Sequence, residues 1–174
     1  QQEDNYEFRQ EVRALHDLRK LKNVVYMYAA WTCNGEGYII METLEKCRPT
    51  YKEVLDVSNK IRAKGWTHID SHRGNFMCRA GTNEVVAIDF GWAIKESDKT
   101  YENHQWAKNY PGITYEDMKV FHNKLLAEHF LDPTDPNRSK ILKPILEKYH
   151  KTLINLRKKQ ELRGRRQGKP LTTK

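Results

Sequence analysis

The chain has 174 residues, 38% of them hydrophobic, which suffices for one compact core and crowds two full domains. Charged residues make up 31% and mean hydropathy is −0.88, so the surface is heavily solvated, and no apolar run approaches the roughly 20 residues of a membrane span. The net charge of +8 sits at one end: eight Lys/Arg between Arg157 and Lys174 against the single acid Glu161 give +7, which leaves +1 for the rest.

The N-terminus, Gln1-Gln2-Glu3-Asp4, lacks the basic-then-apolar order of a secretory signal and has no initiator Met, so residues are expected before it. From about Tyr6 to Leu21 the spacing of Phe8, Val12, Leu15 and Leu18 predicts a helix with one apolar face. Val24–Cys33, rich in β-branched and aromatic residues, predicts a strand. The turn signal Asn34-Gly35-Glu36-Gly37 and the strand Tyr38–Met41 complete a hairpin.

After Pro49, Thr50 with Glu53 three residues on reads as a capping box for a helix through Lys64, stopped at Gly65. Trp66–Asn75 reads as a compact polar loop. Phe76–Arg79 and Glu84–Ile88 read as short strands around an Ala80–Asn83 turn. Thr114–Phe130 predicts a helix with Met118, Phe121, Leu125 and Phe130 on one side. Two prolines interrupt Leu131–Asn137, and helix resumes over Ile141–Leu162 until Gly164, Gly168 and Pro170 end it. The order predicts an α+β layout with a helical C-terminal half. Trp31, Trp66, Trp92 and Trp106 are expected in the core.

Three cysteines, Cys33, Cys47 and Cys78, show no CxxC spacing and are odd in number. Reduced thiols are therefore expected, without a disulfide framework or zinc knuckle, and with them an intracellular setting in cytoplasm or nucleus.

The chemistry concentrates in His68-Ile69-Asp70-Ser71-His72-Arg73-Gly74-Asn75, followed fourteen residues later by Asp89-Phe90-Gly91. Phosphoryl transfer needs one carboxylate to hold and deprotonate an accepting hydroxyl, and oxygen ligands to fix Mg²⁺ against nucleotide phosphates. Asp70 can be that carboxylate, and Asn75 and Asp89 the metal ligands. A hairpin returning the chain from Asn75 to Asp89 would bring them together. His68, Asp70 and His72 also read as H-x-D-x-H, a zinc pattern, but D-F-G explains more of the segment.

H-x-D-x-x-x-x-N followed by D-F-G resembles the catalytic loop and metal motif of the protein-kinase-like superfamily. The variant with His72 two residues after Asp70 is similar to aminoglycoside phosphotransferases, choline kinases and atypical kinases. Ile69 stands where an Arg that receives an activation-loop phosphate is usual, so the resemblance implies that this switch is absent. It also makes His68 structural, bonded to backbone near the D-F-G.

Upstream, Phe8–Val12 with Leu15 and Leu18 resembles the helix whose acid, here Glu11, pairs with a strand lysine. Tyr38–Leu44 resembles the strand into the hinge, which would set Met41 behind adenine and the backbone of Glu42 and Leu44 on its edge. The resemblance spans about Phe8 to Ala93. A G-x-G-x-x-G loop, a V-A-I-K lysine and an A-P-E segment are not found in the sequence, and the first two are expected before residue 1. The implied layout is a partial N-lobe over 1–48, a helical C-lobe over 49–156 and a basic tail over 157–174. The tail faintly resembles the Arg-rich end of the small kinase family associated with tRNA modification.

The implied function is an ATP- and Mg²⁺-dependent phosphotransferase of atypical Ser/Thr protein-kinase type with a protein substrate. Two alternatives stand beside it: a pseudokinase interaction module, and a small-molecule kinase acting on amino-alcohol or aminoglycoside-like compounds. The tail suits a nucleic acid or an acidic partner, and no membrane association is expected.

Overall fold

A computed structural model of the chain describes residues 5–98 and 101–168. It has α+β architecture with three two-stranded sheets and five helices among those residues. Helix α1 (Tyr6–Asp17) buries Gln10, Ala14 and Leu15, with Leu18 just beyond its end. Strands β1 (Met27–Cys33) and β2 (Glu36–Met41) pair antiparallel through Asn34-Gly35, both at positive φ (51° and 82°), the backbone that an Asn-Gly hairpin turn requires.

Helix α2 (Tyr51–Ala63) carries the complete Thr50/Glu53 capping box and is followed by Gly65 at φ 81°. Helix α4 (Tyr115–Phe130) carries a second box, with Asp117 bonded back to the Thr114 N–H. Its buried face uses Leu126, fully buried, where Leu125 was expected. Helix α3 (Gln105–Asn109) is a short turn before it.

Strand β3 (Trp66–Thr67), at the start of the stretch expected as loop, pairs with β6 (Ile94–Lys95). Strands β4 (Phe76–Cys78) and β5 (Val85–Ala87) form the expected second hairpin. Two strap-like contacts hold the N-terminal part onto it. Val25 N–H donates to Ala87 O at 3.1 Å, and Glu45 exchanges both backbone bonds with Cys78 at 2.8 and 2.9 Å.

Helix α5 (Arg138–Arg166) is 29 residues long, roughly 43 Å at 1.5 Å per residue. It runs through Gly164 to Arg166, past the expected end at Leu162. One glycine costs only about 1 kcal/mol among good helix formers, and Arg163, Arg165 and Arg166 complement the negative helix end. The basic segment thus begins as helix; residues 169–174 lie outside the described residues. No helix among the described residues is long and apolar enough to cross a membrane.

The main core joins α1, α2 and the β4–β5 hairpin through Leu15, Val54, Ile61, Trp66, Phe76, Val86 and Phe90. A second cluster under α4 and α5 gathers Ile69, Ile94, Met118, Phe121 and Leu156. Trp31 does not join the core: it is 46% exposed and stacks on Tyr38 across the hairpin. The expectation of reduced thiols is corrected for two cysteines. Cys47 and Cys78, with Cα atoms 5.8 Å apart, form a disulfide, and Cys33 is free and exposed. The Glu45–Cys78 bridge sets Cys47 beside Cys78, a proximity invisible to sequence spacing.

Candidate active site

The β4–β5 hairpin closes the loop between the two halves of the motif. Ile88 N–H donates to Asn75 O at 2.9 Å, so the hairpin's base sets Asn75 beside the residue preceding Asp89. A single 3-10 turn over Arg73–Asn75 ends the loop, and Asn75 is 4% exposed. Its Nδ2 donates to the Asp70 carbonyl at 2.7 Å and to Asp70 Oδ2 at 3.2 Å. Asp70 and Asn75 are therefore locked to each other. With Nδ2 so engaged, Oδ1 is the amide atom left for a metal.

His72 Nδ1 accepts the Gly74 N–H at 3.1 Å, which puts the neutral ring's proton on Nε2, 3.7 Å from Asp70 Oδ2. The side chains of Asp70 and His72 are 28% and 41% exposed, open to a substrate.

Two residues here adopt left-handed backbone without being glycine. Ile69 has φ 74° and Asp89 φ 58°. A β-branched residue there is a steric outlier costing on the order of 1–3 kcal/mol. Ile69 is fully buried in the second cluster, and that burial holds the strain. The left-handed step at Asp89 leaves its carboxylate exposed, capped by the Gly91 N–H at 3.4 Å, while Phe90 turns into the core beside His68, ring centroids 4.7 Å apart.

Glu11 arrives from α1 at the same turn. Its carboxylate faces the Phe90 backbone, and its pKa is pushed up to about 7. Burial is the main cause, the Asp89 carboxylate the next, and Glu7 adds to them, while the nearby Phe90 backbone N–H works the other way. Glu7 and Asp89 thus stand close enough to Glu11 to make its ionisation harder.

The oxygen set of Asp89 carboxylate and Asn75 amide fits a hard divalent cation such as Mg²⁺, which prefers oxygen ligands and keeps several waters. Among the described residues no group of three His, Cys, Asp or Glu converges as a metal centre. His68 is unsuited to zinc because both ring nitrogens are engaged, Nε2 with Ile88 O at 2.7 Å and Nδ1 with Ser71 Oγ at 3.2 Å. His68 thus plays the structural part expected of it.

The hinge-like residues lie apart from these groups in local structure. Met41 pairs with Met27 at the end of the hairpin and is 37% exposed. Glu42 N–H donates to Tyr26 O at 3.0 Å, so of its backbone only the carbonyl is left for a ligand. The Glu42 carboxylate forms a two-pronged ion pair with Arg79 at 2.8 and 3.1 Å, and Arg79 pairs in turn with Glu84 and the Lys22 carbonyl. Leu44 packs against the main core.

A cavity of about 690 Å³ is elsewhere, lined by Tyr101, Lys108, Gly112, Tyr115 and Arg163. None of the predicted site residues lines it. A smaller cavity of about 110 Å³ touches the motif at Gly91, beside Glu7, Trp92 and His104.

His104 and His122 stand in no sequence motif, and both are buried and bonded. His104 caps α3 through Nδ1 and holds the Trp92 carbonyl at 2.9 Å. His122 meets Ser71 and Arg62 across 51 and 60 residues, a separation that no local spacing signals. No protein-family model matches the chain, and no curated protein matches it.

Proposed function

We propose that the chain carries the phosphoryl-transfer centre of an ATP- and Mg²⁺-dependent kinase of the protein-kinase-like superfamily. It is of atypical type and acts on Ser/Thr hydroxyls of a protein. The observation that carries this reading is the pairing at the Asp89-Phe90-Gly91 turn. Glu11 faces the Asp89 carboxylate and the Phe90 backbone on one side, and Asn75, locked to Asp70, is bonded to Ile88 on the other. A D-F-G met by chance has no reason to sit between a helix acid and an Asp–Asn pair.

Asp70 is the base that orients the accepting hydroxyl and takes its proton. Asn75 fixes the Asp70 carboxylate through Oδ2 and leaves the second oxygen for the hydroxyl. His72 presents Nε2–H beside Asp70, where it can hold a phosphate oxygen. Asn75 Oδ1 and the Asp89 carboxylate would hold Mg²⁺, which when bound neutralises phosphate charge as it shifts between oxygens. The left-handed backbone at Asp89 presets that carboxylate outward. Met41 and the backbone of Glu42 and Leu44 would take the adenine. The exposed cations from Arg157 to Arg166 on α5 suit an acidic partner or a nucleic acid.

Thermal denaturation with ATP, with and without Mg²⁺, tests the site. Mg²⁺-dependent stabilisation by ATP is expected in the wild type and is lost in Asp89→Ala. Equal stabilisation in both would remove Asp89 from the site.

A further inference from the structure

The geometry points to Ser71 and His122 as positioning residues that fix the Asp70 loop against Asp89 through one buried, directional hydrogen-bond chain. The structural part stands alone; its catalytic consequence rests on the phosphotransferase reading.

The chain starts at Arg62 on α2. Its guanidinium donates to His122 Nδ1 and to Asn123 Oδ1, each at 2.6 Å. Arginine can only donate, so Nδ1 of His122 accepts and the ring's proton lies on Nε2. Nε2 sits 2.6 Å from Ser71 Oγ and donates to it. The Ser71 hydroxyl is then turned to donate onward, to His68 Nδ1 at 3.2 Å. His68 in turn carries its proton on Nε2 and donates to the Ile88 carbonyl at 2.7 Å. Each assignment follows from the one before, and the first is fixed by a group that cannot accept.

Burial makes this order binding. His68, Ser71 and His122 are 1%, 0% and 0% exposed, so no water can replace a missing partner cheaply. Burial also pushes both imidazoles below their ordinary pKa, with Arg62 adding to the effect at His122, so both rings are neutral as the chain requires. The two ends matter most. Ser71 lies between Asp70 and His72, and Ile88 directly precedes Asp89. Helices α2 and α4 therefore grip both halves of the candidate site from beneath, and a reversed His68 would turn a lone pair onto the Ile88 carbonyl.

Imidazole nitrogen shifts and amide exchange in the full chain, wild type against Ser71→Ala, test this. In the wild type, His68 and His122 are expected neutral with the proton on Nε2. In S71A, His122 keeps its tautomer, held by Arg62, while the Ile88 and Phe90 amides exchange about tenfold faster. Turnover in S71A is expected to fall about tenfold to hundredfold, with KM for ATP within about twofold. A His68 proton on Nδ1 in the wild type, or unchanged exchange at Ile88 and Phe90 in S71A, overturns the chain. A raised KM with unchanged kcat overturns the positioning role. If the wild type shows no turnover, the phosphotransferase reading fails, and the nitrogen shifts and amide exchange still decide the chain.

Discussion

Replacing Glu11 by glutamine should stabilise the protein above neutral pH and leave it unchanged in acid. The Glu11 carboxyl moves from the ordinary 4.5 up to about 7, with burial as the main cause and Asp89 next. Because the folded pKa exceeds the unfolded one, the folded state holds the extra proton between those two pH values. Stability therefore falls as pH rises through this window, and the penalty is fully present only above about pH 7. At 1.36 kcal/mol per pKa step, the full displacement corresponds to roughly 3 kcal/mol. Glu11 is only partly buried, so solvent screening reduces this to on the order of 1–2 kcal/mol. Glutamine keeps the side chain's size and polarity and loses the charge. Urea denaturation of both proteins at pH 5, 6, 7 and 8 reads the difference, and all other titrations cancel in it. Glu11→Gln should gain about 1–2 kcal/mol over the wild type between pH 5 and pH 8. Parallel stability curves would refute the crowding of acids at the Asp89–Phe90 step.

Arg79→Ala should cost about 2 kcal/mol in thermal or chemical denaturation, because one side chain joins Glu42, Glu84 and the Lys22 carbonyl. Arg79→Lys should recover little of that, since lysine cannot offer the two-pronged contact with Glu42. The Cys47–Cys78 disulfide, across a sequence separation of 31, should contribute about 3–4 kcal/mol by restricting the unfolded chain. Intact mass with and without a dithiol reductant, followed by denaturation of each form, reads both its presence and its effect. Thr114→Ala removes the acceptor for the Asp117 N–H at the start of α4 and should cost about 1 kcal/mol.

What was legible in the sequence was local. Asn34-Gly35 specifies a hairpin turn by the backbone it tolerates, and Thr50 with Glu53 specifies a helix start by two reciprocal bonds. The return of the chain from Asn75 to Asp89 was legible too, because two short apolar runs around Ala80–Asn83 can close only as a hairpin.

What stayed hidden depends on partners far apart in the chain. The two-residue pairing of Trp66–Thr67 with Ile94–Lys95 is too short to leave a periodic signal. The Cys47–Cys78 bridge follows from the Glu45–Cys78 pairing and not from cysteine spacing. His122 has no partner at helical spacing, and only the fold brings Arg62 and Ser71 to its two nitrogens. Leu162 and Gly164 read as a helix end because glycine is a poor former, yet the basic residues around Gly164 carry the helix to Arg166.

Transfer of radiolabelled phosphate from ATP to a protein acceptor, with Mg²⁺, in the wild type, Asp70→Ala and Asp89→Ala, tests the phosphotransferase reading most directly. Mg²⁺-dependent labelling of Ser/Thr by the wild type, abolished in both variants, is the predicted result. Turnover at the wild-type rate in either variant would contradict it.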